Sequence, residues 1–282
     1  CAATTTFMAL LPPDSHLIVT SDCYRRTRQF INQFLSRMGV EATVVEPGNL
    51  AAFEAAIRPN TKLFFTESPT NPYLRVIDVP AFSKAAHARG VKVIIDSTFA
   101  TPVNHRPLAD GADLVLHSAT KYLGGHNDLL AGTLTGPKEM IDPVRKALGV
   151  LGGIIDSHAA WLLLRGIKTL DIRMDRHNAN GMAIARYLEA HPKIKQVWYP
   201  GLASHPDHAI AIRQMKGFGG VVTFEIDTDL TGAMRFIDST TIPYQAPSLG
   251  GVESLIELPV TMSFWDVPKP KREDRSIPDH LR

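Results

Sequence analysis

The chain has 282 residues, of which 44% are hydrophobic and 21% charged, a composition typical of a globular protein with two domains or one large one. Its formal net charge of +2 argues against a nucleic-acid-binding or membrane-surface protein, and no apolar run approaches the length of a bilayer span. The two cysteines, Cys1 and Cys23, imply no disulfide framework, so a reducing, cytoplasmic compartment is expected.

The two ends of the chain look abrupt. The first residues already have a helical pattern, and Arg282 follows directly after a turn-like run at 276–279. We therefore expect further residues before Cys1 and after Arg282, and an organellar targeting segment is left open.

From Leu17 onward, apolar runs of strand length alternate with amphipathic runs of helix length. The predicted strands lie at 17–20, 42–46, 62–67, 91–96, 114–118 and 130–135. The predicted helices lie at 25–38, 49–57 and 80–89, and the last begins with a proline and is followed by Gly90. Apolar strands separated by helices predict an α/β fold with a largely parallel sheet that is covered on both faces.

The pattern changes after about Asp171. A long helix is predicted at 173–189, followed by a strand pair at 197–199 and 221–226 and by further helices. We therefore predict a larger domain at 1–172 and a smaller α+β domain at 173–282, each incomplete at its chain end.

Polar side chains follow the predicted parallel strands, at the sheet edge where ligands bind in such folds. Lys121 lies just beyond the strand at 114–118, between two hydroxyl residues and a glycine-containing loop. A lysine that forms a Schiff base needs a partly desolvated site, and the hydroxyls of Ser118 and Thr120 suit a phosphate. Taken alone, a lysine after a strand is more often an ordinary surface residue.

The run around this lysine reads Asp113-Leu-Val-Leu-His-Ser-Ala-Thr-Lys-Tyr-Leu-Gly-Gly-His-Asn127. It resembles the cofactor-lysine signature of the cysteine/methionine-metabolism family of pyridoxal-5′-phosphate (PLP) enzymes. The resemblance spans nearly the whole chain and returns at 161–170, 199–206, 215–220 and 248–254. It implies a fold-type-I PLP-dependent transferase, with 1–172 as the PLP-binding domain.

The resemblance also implies roles for individual residues. Lys121 would hold PLP as a Schiff base, Asp96 would pair with its pyridine nitrogen, Tyr24 would stack on its ring, and Asn71 would contact its phenolic oxygen. Each residue has a plainer interpretation: Asp96 as a turn or helix cap, Tyr24 as a half-buried packing residue, and Asn71 before Pro72 as a turn.

Substrate contacts are implied for two more residues. Ser248 matches a serine near the lysine, in a loop that shapes specificity, and Arg282 incompletely matches the arginine that holds the substrate carboxylate. Pro247 stands where several relatives have glutamate, and in this respect the chain is similar to the plant-type cystathionine γ-synthases. The family's phosphate-binding Ser-Gly-Met turn and the Tyr-x-Arg of a neighbouring subunit belong before the position of Cys1 and are not in this chain.

The resemblance implies γ-replacement, in which an activated homoserine ester and cysteine give cystathionine in methionine biosynthesis. A cystathionine or methionine γ-lyase and an O-acylhomoserine sulfhydrylase are close alternatives. A truncated non-catalytic paralogue is a further alternative. The presence of Tyr24, Asp96 and Lys121 together argues against it. The expected partners are small amino-acid substrates and further copies of the chain, which would form a homodimer or homotetramer with shared active sites. Binding to nucleic acid or to a membrane is not expected.

No metal site is predicted. The pair His205-x-x-His208 has a metal-like spacing, but no third ligand accompanies it.

Overall fold

The computed structural model describes residues 2–262, so Arg282 lies outside the described part of the chain. A first sheet has six strands: β1 His16–Thr20, β2 Glu41–Val45, β3 Thr61–Glu67, β4 Lys92–Asp96, β5 Leu114–Ser118 and β6 Gly132–Thr135. Every strand predicted in this part of the chain is confirmed, with ends shifted by one or two residues.

Helices connect these strands and continue beyond them. They are α1 Ala2–Leu10, α2 Arg25–Gln33, α3 Leu50–Ala56, α4 Val79–His87, α5 Thr101–Asn104, α6 Lys138–Leu151, α7 Ser157–Ile167 and α8 Leu170–Glu189. The single helix predicted at 25–38 is wrong in its last part. The α-helix ends before Phe34, and a 3₁₀ turn follows at Leu35–Met38 with left-handed Gly39 after it.

The six strands lie in the order β2-β1-β3-β4-β5-β6. All neighbours are parallel except β6, which runs antiparallel to β5, so the predicted largely parallel sheet is confirmed. The chain steps outward from β1 to β2 and then returns to the other side of β1 with β3. Such a reversal opens a crevice at the carboxyl ends of the strands, which is where ligands bind in α/β folds.

Two apolar layers cover the sheet, because successive strand residues point to opposite faces. One face carries Ile18, Phe64 and Ile95 against α3 and α4, and the other carries Val19, Phe65 and Ile94 against α1 and α2. Fully buried residues of this kind each contribute about 1.5–3 kcal/mol of transfer free energy, so the strands form a rigid frame for the loops at their ends.

The remaining elements follow α8. They are β7 Ile194–Trp198, α9 His208–Gln214, β8 Thr223–Ile226, α10 Leu230–Asp238, β9 Tyr244–Gln245 and β10 Leu255–Ile256. The predicted strand pair is present as antiparallel β7 and β8, and α8 begins three residues before the predicted start at Arg173. The division of the chain at 172 stays a prediction. None of the helices within 2–262 is long and apolar enough to cross a bilayer.

Candidate active site

One large cavity lies at the carboxyl edge of the six-stranded sheet, with a volume of about 1100 Å³. Its lining includes every predicted site residue except Arg282, which lies outside the described chain: Tyr24, Asn71, Asp96, Ser118, Thr120, Lys121 and Ser248. These side chains come from loops after β1, β3, β4 and β5 and from the segment between β9 and β10. The cavity is large enough for a cofactor and a small substrate together.

Lys121 reaches the cavity from the turn after β5. Its Nζ donates a hydrogen bond to Ser248 Oγ at 3.0 Å. Burial lowers the pKa of the Lys121 ammonium, and the negative charge of Glu257, which also lines the cavity, partly opposes that shift. A lysine whose neutral amine is made accessible in this way is suited to nucleophilic attack and proton transfer.

The backbone of the lysine turn is held by hydrogen bonds on both sides of Lys121. The amide of Lys121 donates to Ser118 O at 3.1 Å, and its carbonyl accepts from Gly125 N at 2.8 Å. The Thr120 hydroxyl accepts from Ala131 N at 2.9 Å, which ties the turn to the residues before β6. The Ser118 amide donates to Thr98 Oγ1 at 2.8 Å. The direction of the Lys121 side chain is therefore set by a rigid turn.

Asp96 ends β4 at the floor of the cavity. Its Oδ1 accepts hydrogen bonds from both the amide and the hydroxyl of Thr98, and no described donor reaches Oδ2. Burial raises the pKa of Asp96 to about 6, an effect that the Thr98 hydrogen bonds only partly offset. A buried carboxylate with one open oxygen is suited to binding a cationic N–H group, which would favour its charged form.

Glu67 is a site residue that we did not identify in the sequence. It ends β3, where it is the register partner of Asp96 on β4, so the two carboxyl groups project to the same side of the sheet. Its Oε1 accepts a hydrogen bond from the backbone amide of Tyr24. Burial, and then the charge of Asp96, raise the pKa of Glu67 well above its ordinary value, which favours the protonated form of this carboxyl group.

We expect Glu67→Leu to destabilise the protein by about 1–3 kcal/mol, because the Tyr24 amide would lose its buried acceptor. Glu67→Gln keeps an oxygen at the same place and resembles the neutral acid, so its loss should be below about 1 kcal/mol. Urea unfolding followed by circular dichroism measures both. Equal losses in the two variants would contradict the assignment of Glu67 as a neutral acceptor.

Tyr24 lies at the start of α2, immediately after the loop that leaves β1. Its side chain is 59% exposed, so its ring is open to the cavity and is not packed into the core. Asn71 lies in the loop after β3, where the peptide bonds before Pro69 and Pro72 are both cis. The two loops flank the point where the strand order reverses, which explains how residues distant in sequence meet in one cavity.

Asp22 precedes Tyr24 on the cavity wall and is almost fully buried. Neither of its carboxyl oxygens has a hydrogen-bond partner among the described residues. Burial raises its pKa from 3.8 to about 6, while the nearby Thr70 and Thr20 side chains and, more weakly, the positive charge of Arg75 act in the opposite direction. The folded chain therefore binds this proton more tightly than the unfolded chain does.

We expect the cofactor-free protein to lose stability as the pH rises from about 4 to about 6, since ionising Asp22 in its buried site costs up to about 3 kcal/mol. Asp22→Asn should remove that part of the pH dependence. Urea midpoints for both proteins at several pH values in this window test the expectation. Parallel pH profiles for the two proteins would show that Asp22 titrates normally.

The histidine pair that we considered for a metal makes backbone contacts. His205 Nδ1 accepts from Asp207 N at 3.1 Å, and His208 Nδ1 lies 2.8 Å from Pro200 O. Within residues 2–262, no group of three or more His, Cys, Asp or Glu side chains is arranged to hold a metal ion.

The residues that line the cavity fit PLP. The set combines an amine of lowered pKa at Lys121, an open carboxylate oxygen at Asp96 and an exposed aromatic ring at Tyr24. The Ser118 and Thr120 hydroxyls lie at the end of β5, beside the lysine. These groups match the aldehyde, pyridine nitrogen, flat ring and phosphate of the cofactor, respectively.

Comparison with known proteins gives a consistent result. The family model described as "Cys/Met metabolism PLP-dependent enzyme" matches residues 1–282. The chain is 51% identical to "Cystathionine gamma-synthase 1, chloroplastic" of Arabidopsis thaliana, over 100% of the chain and 50% of that protein. It is 40% identical to "Cystathionine gamma-lyase" of Bacillus subtilis, over 99% of the chain and 74% of that protein.

A solved structure is also similar. The cystathionine gamma-lyase of Lactobacillus plantarum, solved in complex with L-serine, superposes with a TM-score of 0.94 at 38% identity, over 99% of the chain and 73% of that protein. The chain spans about half the length of the two chloroplastic cystathionine gamma-synthases that it matches, those of Arabidopsis thaliana and Nicotiana tabacum.

Proposed function

Because the chain belongs to the cysteine/methionine-metabolism family of PLP-dependent enzymes, we propose that it catalyses γ-replacement, joining an activated homoserine ester to cysteine to give cystathionine. The observation that carries the proposal is the meeting of Lys121, Asp96, Tyr24 and Ser248 in one cavity, with Nζ of Lys121 hydrogen-bonded to Ser248. The 51% identity to a plant cystathionine γ-synthase over the whole chain supports the choice of reaction.

In the proposed reaction, PLP supplies an electron sink for negative charge that develops on the substrate. Asp96 would hold the cofactor at its ring nitrogen and keep that nitrogen protonated, and Tyr24 would hold the ring. Lys121, with its lowered pKa, removes and returns protons at the α and β carbons of the substrate. Ser248 orients the Lys121 amine during these transfers. The ester leaves from the γ carbon, and the cysteine sulfur forms the new bond there as its thiol loses a proton.

The test uses the purified protein with PLP, cysteine and either an O-acylhomoserine or O-phosphohomoserine. The proposal expects cystathionine, identified by mass spectrometry, together with one equivalent of the released acid. If neither ester gives cystathionine under conditions where PLP is bound, γ-replacement is ruled out.

A γ-elimination is the second candidate, favoured by the similarity to two cystathionine γ-lyases. It uses the same residues but ends in hydrolysis, which releases 2-oxobutanoate. Release of 2-oxobutanoate from cystathionine in the absence of cysteine would identify a lyase. Formation of homocysteine from the ester and sulfide would identify a sulfhydrylase.

We further propose that the protein works as a homodimer or homotetramer. Several large apolar side chains on α6 and α7 are exposed in the single chain, with Val150 at 87%, Leu164 at 67% and Trp161 at 55%. Exposed apolar patches of this kind are typical of subunit contacts. Size-exclusion chromatography with light scattering measures the mass, and a strictly monomeric protein would contradict the proposal.

A cytoplasmic location stays a proposal. The plant relatives are named as chloroplastic, which makes an organelle the specific alternative. Fluorescence imaging of the natural gene product, tagged at its C-terminus, distinguishes the two.

A further inference from the structure

Arg173 lies in the first turn of α8 and is only 9% exposed. No carboxylate among residues 2–262 lies within salt-bridge distance of its guanidinium, and burial lowers the pKa of this group. A buried arginine without an anionic partner is costly, because its desolvation is repaid only by hydrogen bonds. The hydrogen bonds of Arg173 must therefore offset the cost of burying its guanidinium.

Among residues 2–262, the hydrogen bonds of Arg173 all go to neutral groups that surround the lysine turn. Nη1 donates to Tyr122 O at 2.7 Å, Nη2 donates to Gly166 O at 2.9 Å, and Nε donates to the Thr169 hydroxyl at 3.0 Å. The first acceptor belongs to the residue after Lys121, and the second lies in the last turn of α7. One planar guanidinium thus joins the lysine turn to the junction between α7 and α8.

The packing around this junction leaves no room for a side chain at Gly125 or Gly166. A Cβ at Gly125 would lie 2.2 Å from Nη1 of Arg173, and a Cβ at Gly166 would lie 2.2 Å from Gly124 O. The two glycines let the guanidinium and α7 approach the lysine turn directly. The run at 161–170, one of the segments that carry the family resemblance, therefore packs against the turn after Lys121.

Other charged groups near Arg173 do not neutralise it. His177, one turn further along α8, packs edge-on against the Tyr122 ring with centroids 5.1 Å apart. Burial, and then the charge of Arg173, lower the pKa of His177, which favours its neutral form. In the described part of the chain, the positive charge of Arg173 beside the lysine turn is therefore satisfied by oxygen dipoles and not by a carboxylate.

We propose that Arg173 is a positioning residue for Lys121: by binding the Tyr122 and Gly166 carbonyls together, it fixes the direction in which the lysine enters the cavity. This inference rests on the proposed PLP chemistry of Lys121. It concerns the attachment and protonation of the lysine, and it does not depend on which substrate the enzyme uses.

The test compares Arg173→Met and Arg173→Lys with the natural protein. Arg176→Met is the matched control, because Arg176 is an exposed arginine on the same helix. The measured quantities are the dissociation constant of PLP and the pH midpoint of the visible band that requires the lysine–cofactor linkage. We expect Arg173→Met to weaken PLP binding about tenfold, because the Tyr122 and Gly166 carbonyls lose their buried donor, and to shift the pH midpoint.

Arg173→Lys is expected to show a smaller change of the same sign, because an ammonium donates to one carbonyl but lacks the planar fork. Added guanidinium ion at low millimolar concentration should partly restore PLP binding in Arg173→Met and have no such effect on Arg176→Met. If Arg173→Met has the same PLP dissociation constant and the same pH midpoint of the visible band as the natural protein, even with a lower melting temperature, the proposal is overturned. If Arg173→Met does not fold, natural values in Arg173→Lys would overturn it.

These readouts need no substrate, so the two proposals fail separately. A natural protein that binds PLP without forming cystathionine removes the proposed reaction alone. Cystathionine formation together with an unchanged Arg173→Met spectrum removes the positioning role alone.

Discussion

Lys121→Ala is expected to abolish the visible absorbance band that forms when PLP is added and to lower turnover by about 10³-fold, within the range that a positioned proton-transfer group contributes. The Nζ of Lys121 is the group to which the cofactor would be attached, and it is also the amine that would move protons. The hydroxyl of Ser248, 3.0 Å from Nζ, cannot replace it because an unactivated serine is a weak base.

Two controls separate this effect from misfolding. Lys84→Ala removes an exposed lysine on α4, outside the cavity, and should leave both the band and the turnover unchanged. Far-UV circular dichroism of Lys121→Ala should match that of the natural protein, since loss of a partly solvated lysine costs little in stability. A Lys121→Ala protein that still forms the band would mean that another amine holds the cofactor. No band in the natural protein would favour the non-catalytic alternative.

Asp96→Asn is expected to lower turnover by about 10²–10³-fold while leaving the fold intact. The amide preserves the shape of the side chain and an oxygen for the Thr98 hydrogen bonds, but it carries no charge to hold a proton on the cofactor ring. The magnitude is the typical cost of removing one preorganised charge-stabilising group from an active site.

The variant also changes the neighbouring acid. With the charge of Asp96 gone, one of the causes that raise the pKa of Glu67 is removed, so we expect the pKa of Glu67 to fall in Asp96→Asn. Steady-state kinetics at saturating PLP, compared with the exposed-surface control Asp227→Asn, measure the effect. Full turnover in Asp96→Asn would show that the ring nitrogen does not depend on this carboxylate.

Much of the fold follows from local pattern. Strands β3, β4 and β5 are buried on both faces and therefore read as continuous apolar runs, which made them easy to locate. Helices α6 and α7 were not predicted, for two identifiable reasons. Helix α6 contains Pro143 in its interior, which in a sequence argues against a continuous helix, and α7 carries large apolar residues such as Trp161 that are exposed in the single chain.

The candidate site, like the fold, has residues that the sequence predicts and residues that it does not. The sequence alone determined the lysine turn, its hydroxyls and the aspartate at the end of β4, because these residues lie in a contiguous motif or at a strand end. Only the tertiary structure placed Glu67 beside Asp96 and buried Arg173 against Tyr122 O. The pattern of apolar and polar residues along a chain reveals the periodicity of a single helix or strand. The contacts of Glu67 and Arg173 depend instead on strand order, register and helix packing, which bring together residues far apart in sequence.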